Sequence, residues 1–296
     1  MRHLRLAAGI VMALVLAGCS GGSGDSGSGD SDSGDGRPVR AVASFYPLVA
    51  VTAAVGGDRV DVDNLTPVGV EPHDIELSPR QIDRVADADL LVYLGGGFQP
   101  AIDEAARAAK LAVDVSQGLT LEGGDPHVWL DPLLFQQVVT IVEAALLQVD
   151  PAGAGGYRAR AADYRGRLEQ LDADYRTGLA NCDRRVIVTA HDAFGYLARR
   201  SDLEQVPIAG LSPDAEPDPR RLAELTDLVR DRGVTTIFTE ELVSPRVAET
   251  LAWEAGVTTA VLHTVEGLES EGEPGVDYFS LMEDNLAALR QALGCR

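Results

Sequence analysis

The stretch DPHVWLDP at residues 125–132 lies between a short predicted strand, Leu111 to Val115, and a predicted apolar helix, Pro132 to Val149. It places His127 between two prolines and beside two carboxylates in a chain that has only five histidines. Strand and helix signals alternate on both sides of this stretch, and such alternation is typical of parallel sheets covered by helices. The sequence therefore predicts an α/β protein with its chemistry near His127.

One long amphipathic helix divides the alternating pattern into two blocks. Between residues 150 and 182 apolar side chains recur every three or four positions with charges between them, which predicts a helix over Tyr157 to Leu179. Each block holds about four strand-helix units. We therefore predict an N-terminal lobe over 39–150, a linking helix over 151–181 and a C-terminal lobe over 182–296. Each lobe would contain a parallel four-stranded sheet flanked by helices.

The chain begins with a predicted signal peptide over 1–19 and a tether over 20–38. Two arginines precede an apolar run that is too short to span a bilayer. The run ends in LAGC at 16–19, which resembles a bacterial lipobox, so Cys19 would be lipidated and become the new N-terminus. Residues 20–36 are only Ser, Gly and Asp, and such a composition predicts a flexible coil.

The charge balance excludes two classes of partner. The net charge is −21 and the sequence pI is about 4.5, so a nucleic-acid backbone or an anionic lipid surface would be repelled. We therefore expect no nucleic-acid partner. The glycines at 95–97 follow a predicted strand, but their spacing does not match a nucleotide fingerprint, so we interpret them as a turn.

Four histidines fall where predicted strands end or on loops that follow them: His73, His127, His191 and His263. Ligands of parallel α/β sheets bind outside the carboxyl ends of the strands, so this shared topology predicts one convergent site. Imidazole is a common nitrogen ligand of zinc, and we predict a Zn²⁺ site. Neighbouring acids could accept the outward ring N–H of these histidines, or could only cap helices: Asp74, Asp131, Asp192, Glu240 and Glu241.

A zinc hydrolase is the alternative among enzymes, with Glu76 or Glu240 as the general base. Catalytic zinc usually keeps an open coordination position, whereas four protein ligands close the shell. Within the two predicted lobes, residues 39–150 and 182–296, the sequence also contains no nucleophile-elbow pattern. We therefore expect a binding protein and not an enzyme.

Several motifs resemble those of the metal-binding lipoproteins of zinc and manganese ABC importers. Besides the lipobox, they are EPHD at 71–74, DPHVWLDP at 125–132, HDAFGY at 191–196 and FTEE at 238–241. The resemblance implies two similar lobes, a rigid linking helix, a metal held between the lobes and a membrane permease as partner. It also places His73, His127 and His191 on three of the family's ligands.

The fourth ligand departs from the family pattern. Manganese members and several zinc members have an Asp after the last strand, where this chain reads VLHT at 261–264. We predict that His263 is the fourth ligand and that four imidazoles favour zinc, because manganese prefers oxygen ligands. Alternatively, Glu240 or a neighbouring acid completes the shell and His263 lines the cleft. The segment 117–124 holds no His, unlike the His-rich loop of many zinc-uptake members.

Together these features predict an extracytoplasmic zinc-binding protein that delivers Zn²⁺ to an ABC-transporter permease. It would be a monomer, held on the outer face of the bacterial cell membrane by lipid at Cys19. A manganese-binding importer component and a metal-dependent adhesin are the alternatives. Once Cys19 is lipidated, an exported chain retains Cys182 and Cys295, for which we predict a disulfide.

Overall fold

A computed structural model describes residues 37–213, 217–270 and 274–296. The predicted signal peptide, the lipidation site at Cys19 and tether residues 20–36 lie outside the described residues. Within these ranges the strands are β1 Val39–Ala43, β2 Val60–Asn64, β3 Leu90–Tyr93, β4 Ala112–Asp114, β5 Val186–Thr189, β6 Glu204–Pro207, β7 Thr236–Thr239 and β8 Thr258–Val261. The helices are α1 Tyr46–Gly56, α2 Pro79–Asp87, α3 Pro100–Ala105, α4 Pro132–Val149, α5 Ala154–Gly178, α6 Gly195–Arg200, α7 Pro219–Asp231, α8 Arg246–Ala255 and α9 Tyr278–Leu293.

The strands form two parallel four-stranded sheets with the same topology. The first sheet has the order β2-β1-β3-β4 and the second has the order β6-β5-β7-β8. In each sheet the first strand of the lobe lies at the centre, and every paired strand runs parallel to its neighbour. Helix α5 lies between the two sheets in sequence. This architecture confirms the predicted fold class of two α/β lobes joined by a long helix.

One continuous core connects the two lobes. Its buried side chains come from both sheets and from helices that include α4, α5 and α9, so the lobes share apolar contacts. Each lobe also contains a smaller apolar cluster of its own. Aromatic rings mark the centre of this contact. Phe135 of α4 lies 4.8 Å from the ring of Tyr278, and Tyr164 of α5 lies 4.9 Å from that of Phe279. Packing of this kind ties the relative placement of the sheets to three helices.

Among the described helices, α4 is the one that is long and apolar enough to cross a membrane by length and composition. Its side chains Phe135, Val138, Val139 and Val142 are almost fully buried in the shared core. The helix begins at the predicted residue because Asp131 caps it, accepting hydrogen bonds from two backbone N–H groups of the first turn. We therefore describe α4 as a core helix.

Two elements of the second lobe differ most from the sequence prediction. The apolar residues in Val206 to Leu211 predict the sixth strand over that range, but β6 begins at Glu204, because pairing with β5 starts at that residue. The backbone N–H of Ile208 donates to the carbonyl of Thr189, the last residue of β5, and that of Ala209 donates to the carbonyl of Ala190, so the pairing continues beyond Pro207. Helix α6 was not predicted; it has only six residues and begins with a glycine, so it shows no helical period.

The C-terminus is bonded to the segment that follows α5. A disulfide joins Cys182 to Cys295, as predicted. The backbone N–H of Arg184 donates to the carbonyl of Leu293, and that of Arg296 donates to the carbonyl of Asn181. Helix α9 is thereby held beside the start of the second lobe.

Candidate metal centre

His127 lies on the segment between β4 and α4, directly before a single 3-10 turn at Val128–Leu130. Its backbone N–H donates to Oδ1 of Asp125 at 3.0 Å, and its ring Nδ1 lies 2.7 Å from the same oxygen. The imidazole is fully buried. Because an ionised carboxylate only accepts hydrogen bonds, Asp125 holds a proton on Nδ1 and leaves Nε2 available to a metal.

His191 is oriented in the same way in the second lobe. It lies two residues beyond β5, and its backbone N–H donates to Oε1 of Glu240 at 3.1 Å. Its ring Nδ1 lies 2.6 Å from Oε2 of Glu240, which directly follows β7. Two adjacent strands of the sheet therefore deliver a histidine and the carboxylate that orients it, with Nε2 directed to the other lobe.

His73 lies on the loop between β2 and α2. Its backbone N–H donates to Oε2 of Glu71 at 2.9 Å, and its ring packs edge-on against Phe98 with 4.7 Å between centroids. The loop ends at a capping box, where Ser78 and Gln81 exchange hydrogen bonds at the start of α2. Its side chain is 9% exposed, which makes His73 the member of the group nearest to solvent.

Glu266 is the fourth member of the group and was not predicted. It lies on the loop after β8 and is 2% exposed. The preceding residue, Val265, has φ of 58°, a left-handed backbone conformation that is rare for a β-branched residue. This turn brings the Glu266 carboxylate to the three imidazoles.

The four ligand atoms lie at spacings that suit one zinc ion. Oε1 of Glu266 is 3.1 Å from Nε2 of His127, 3.6 Å from that of His73 and 3.8 Å from that of His191. The Nε2 atoms of His127 and His191 are 3.3 Å apart. A tetrahedron with Zn–ligand bonds of about 2.0–2.1 Å has edges of about 3.3–3.4 Å. The four distances lie within about 0.5 Å of that value, and all four atoms lie within 4.8 Å of one another, so small shifts would complete a zinc shell.

The charges of the group explain its pKa shifts. Burial by itself lowers the pKa of His127, but the contacts with Asp125 and Glu266 outweigh burial and raise the pKa from 6.5 to about 9. For Glu266, burial by itself raises the pKa, but the contacts with His127 and His73 outweigh burial and hold the pKa well below its usual range. A second proton on His127, at Nε2, therefore occupies the position that a metal cation would take.

The structure places only one of the predicted carboxylate partners beside a histidine ring of the group, namely Glu240. Asp131 caps α4 and accepts a hydrogen bond from Nε of Arg200 at 2.6 Å, so it links the lobes. Asp74 is exposed. Asp192 is half-buried, and burial followed by repulsion from Asp125 raises its pKa. The carboxylate that orients His127 is Asp125, whose position two residues before the histidine was the available signal.

His263 does not join the group, in contrast to its predicted position. Asn285 of α9, fully buried, accepts from the backbone N–H of His263 at 2.6 Å and donates to its carbonyl at 2.7 Å. The imidazole pairs with Glu241, and burial lowers its pKa. The structure therefore brings Glu266 to the fourth position. Its place on the same strand-following loop, three residues beyond His263, was the signal that sequence reasoning missed.

Comparison with known proteins gives a consistent result. Residues 41–292 match the family described as "ZnuA: Zinc-uptake complex component A periplasmic". The "High-affinity zinc uptake system protein ZnuA" of Bacillus subtilis (strain 168) is 38% identical over 304 residues, covering 95% of this chain and 94% of that protein.

Two solved structures show the same fold. The Zn(II)-bound ZnuA-like domain of Streptococcus pneumoniae AdcA is 37% identical with a TM-score of 0.77, over 86% of this chain and 99% of that chain. The laminin binding protein Lmb of Streptococcus agalactiae, described as a bifunctional protein with adhesin and metal transporting activity, is 33% identical with a TM-score of 0.81, over 86% and 99%. This chain therefore belongs to the family of periplasmic zinc-uptake complex components A.

Proposed function

We propose that this protein captures one Zn²⁺ ion with His73, His127, His191 and Glu266 and delivers it to the permease of an ABC importer. The observation that carries the proposal is the convergence of three imidazole nitrogens and one carboxylate oxygen at the spacing of a zinc tetrahedron. In this proposal Glu266 takes the role that the sequence predicted for His263.

The donor atoms support zinc as the cargo. Nε2 of His73 and Oε1 of Glu266 are buried, and neither has a hydrogen-bond partner of good geometry among the described residues. Buried polar atoms without partners are costly unless a ligand satisfies them. Three imidazoles and one carboxylate in a closed four-atom group suit Zn²⁺ better than Mn²⁺, which favours oxygen ligands and higher coordination.

The positions of the candidate bases argue against a zinc hydrolase. Glu76 is exposed, and Glu240 is engaged with His191. Four protein groups would close the zinc shell and leave no position for a reactive water. Membership in a zinc-uptake family supports the same conclusion, a transport component and not an enzyme.

The exposure of the ligands indicates how zinc reaches the site. The side chains of His127, His191 and Glu266 are at most 3% exposed, whereas that of His73 is 9% exposed. His73 also lies on a loop, while His191 follows a central strand. We therefore infer that zinc enters and leaves past His73 and that the permease acts on this side of the protein.

Location and assembly follow from the same features. The family is described as periplasmic, and the lipobox-like sequence at 16–19 supports attachment to the membrane through lipid on Cys19. All four proposed ligands come from one chain, so zinc capture requires no second copy and we propose that the protein acts as a monomer. The adhesin activity described for Lmb belongs to that protein.

Zinc affinity of two alanine variants tests the ligand assignment. Glu266→Ala should weaken zinc binding by at least about tenfold, or about 1.4 kcal/mol, because it removes one coordinating oxygen. His263→Ala is the matched control from the same loop and should bind zinc as the parent does. Competition with a chromophoric chelator measures both. The reverse ranking would refute the assignment and restore His263.

Transport is tested in the cell. A strain that lacks the protein should fail to grow in zinc-depleted medium, and the parent chain and His263→Ala should restore growth. Glu266→Ala should restore it poorly. Normal growth of the deletion strain with every other zinc importer removed would contradict the transport role.

A further inference from the structure

Trp129 connects the two lobes from within the shared core. It is 1% exposed, and its ring lies 5.2 Å from that of His127. Its indole N–H donates to the carbonyl of Thr264 at 2.7 Å, and its own carbonyl accepts from the hydroxyl of Tyr278 at 2.7 Å. One residue of the first lobe therefore contacts a proposed zinc ligand and also the backbone of the loop that carries Glu266.

The loop around Glu266 is held on both sides by donors from the first lobe. Upstream, the indole N–H of Trp129 binds the carbonyl of Thr264, two residues before Glu266. Downstream, the backbone N–H of Gly69 donates to the carbonyl of Leu268 at 2.8 Å, two residues after it. Although Glu266 follows the last strand of the second lobe, its position depends on the first.

The strained backbone of Val265 increases the dependence of the Glu266 position on the first lobe. Val265 has φ of 58°, and a β-branched residue keeps such a conformation only when its surroundings determine it. Glu266 follows Val265 in the chain. The N–H of Val265 and the carbonyl of Thr264 belong to the same peptide group. The hydrogen bond from Trp129 fixes the plane of that amide, so its loss would let Val265 relax and Glu266 turn away.

We propose that Trp129 is a positioning residue for zinc binding, which acts through Glu266 by holding the Thr264–Val265 peptide. This inference rests on the proposed role of Glu266 as a ligand. Trp129 does not touch the metal; it sets the place of the carboxylate relative to His127, against which its own ring packs. Replacing a group that orients a metal ligand typically lowers metal affinity by about 10- to 100-fold.

The test replaces Trp129 with benzothienylalanine, which keeps the shape of the indole and lacks its N–H donor. The same replacement at Trp253, which is 83% exposed, is the matched control. We expect zinc affinity to fall by about tenfold at Trp129 and to stay unchanged at Trp253. In a Glu266→Ala background the replacement at Trp129 should change zinc affinity by less than about twofold, because the group it positions is gone.

The outcomes separate the two proposals. An equal loss of affinity in the parent and Glu266→Ala backgrounds, or no loss in the parent, overturns the role of Trp129. Unchanged zinc binding by Glu266→Ala alone overturns the ligand assignment instead. Trp129→Phe, alone and combined with Glu266→Ala, provides a second double-mutant cycle. We expect it too to lower zinc affinity in the parent and to change it little in the Glu266→Ala background. The absorption bands of bound Co²⁺ should shift when the N–H is removed from the parent, and unshifted bands would also contradict positioning of a ligand.

Discussion

Zinc binding should release about one proton at neutral pH, and the raised pKa of His127 is the reason. Nε2 of His127 must be unprotonated to bind a metal, yet Asp125 and Glu266 raise the pKa to about 9. At about pH 7.5 the protonated form then exceeds the neutral form by about 30-fold. The apparent zinc affinity should therefore rise by about tenfold per pH unit well below the pKa, and by about 50-fold in all between about pH 7 and 9.

Calorimetry measures this release directly. Titrations of the metal-free protein with zinc in buffers of different ionisation enthalpy give the number of protons released. Asp125→Asn removes one of the two carboxylates that raise the pKa of His127, so the rise in affinity should end at a lower pH. Proton release near zero at about pH 7.5, or a zinc affinity that is constant from about pH 7 to 9, would refute this account of the site.

The same shift predicts the pH dependence of the metal-free fold. The folded pKa of His127 is raised above its ordinary value of 6.5, so protonation stabilises the folded state. This contribution is fully present below about pH 6.5 and is lost as the pH rises through about 9. Saturating zinc removes the proton and should abolish this trend in melting temperature, which thermal unfolding with and without zinc would show.

Three further predictions concern separate parts of the structure. Cys295→Ser opens a disulfide whose residues are 113 apart, and the chain-entropy model gives a loss of up to about 5 kcal/mol in the free energy of unfolding, measurable by urea denaturation. Glu240→Gln disturbs the carboxylate that orients His191 and should lower zinc affinity by about 10- to 100-fold, measurable by chelator competition. Arg200→Met leaves the carboxylate of Asp131 without its partner from the other lobe and should cost about 1–3 kcal/mol in urea denaturation of metal-free protein, whereas unchanged stability would refute the interlobe link.

Most of the fold was predictable because local signals and packing agree. Helix α4 has the predicted bounds because a proline follows the capping Asp131, and α9 begins after Asp277, which caps it. The strands were found as short apolar runs between helices. The start of the sixth strand differs from the prediction because the polar residues Glu204 and Gln205 pair with β5, whereas the apolar run begins only at Val206. Strand limits depend on the partner strand, which a single segment does not reveal.

The site was predictable only in part, for a related reason. Topology predicts that His73, His127 and His191 lie near one another, because all three follow strands and ligands of parallel sheets bind outside the carboxyl ends of the strands. The fourth position depends on which residue of the loop after β8 turns inward. That choice is made by Asn285, which brackets the backbone of His263, and by the left-handed turn at Val265. Both are tertiary features, whereas the sequence prediction of His263 rests on its position directly after the last strand and on the preference of zinc for imidazole.

Anomalous diffraction at the zinc edge from crystals of the zinc-loaded protein would show which four side chains hold the ion. We predict one strong peak at a distance of about 2.0–2.2 Å from Nε2 of His73, His127 and His191 and from a carboxylate oxygen of Glu266. His263 should remain paired with Glu241. A peak coordinated by His263 in place of Glu266, or a zinc ion bound away from the three imidazoles, would contradict the account.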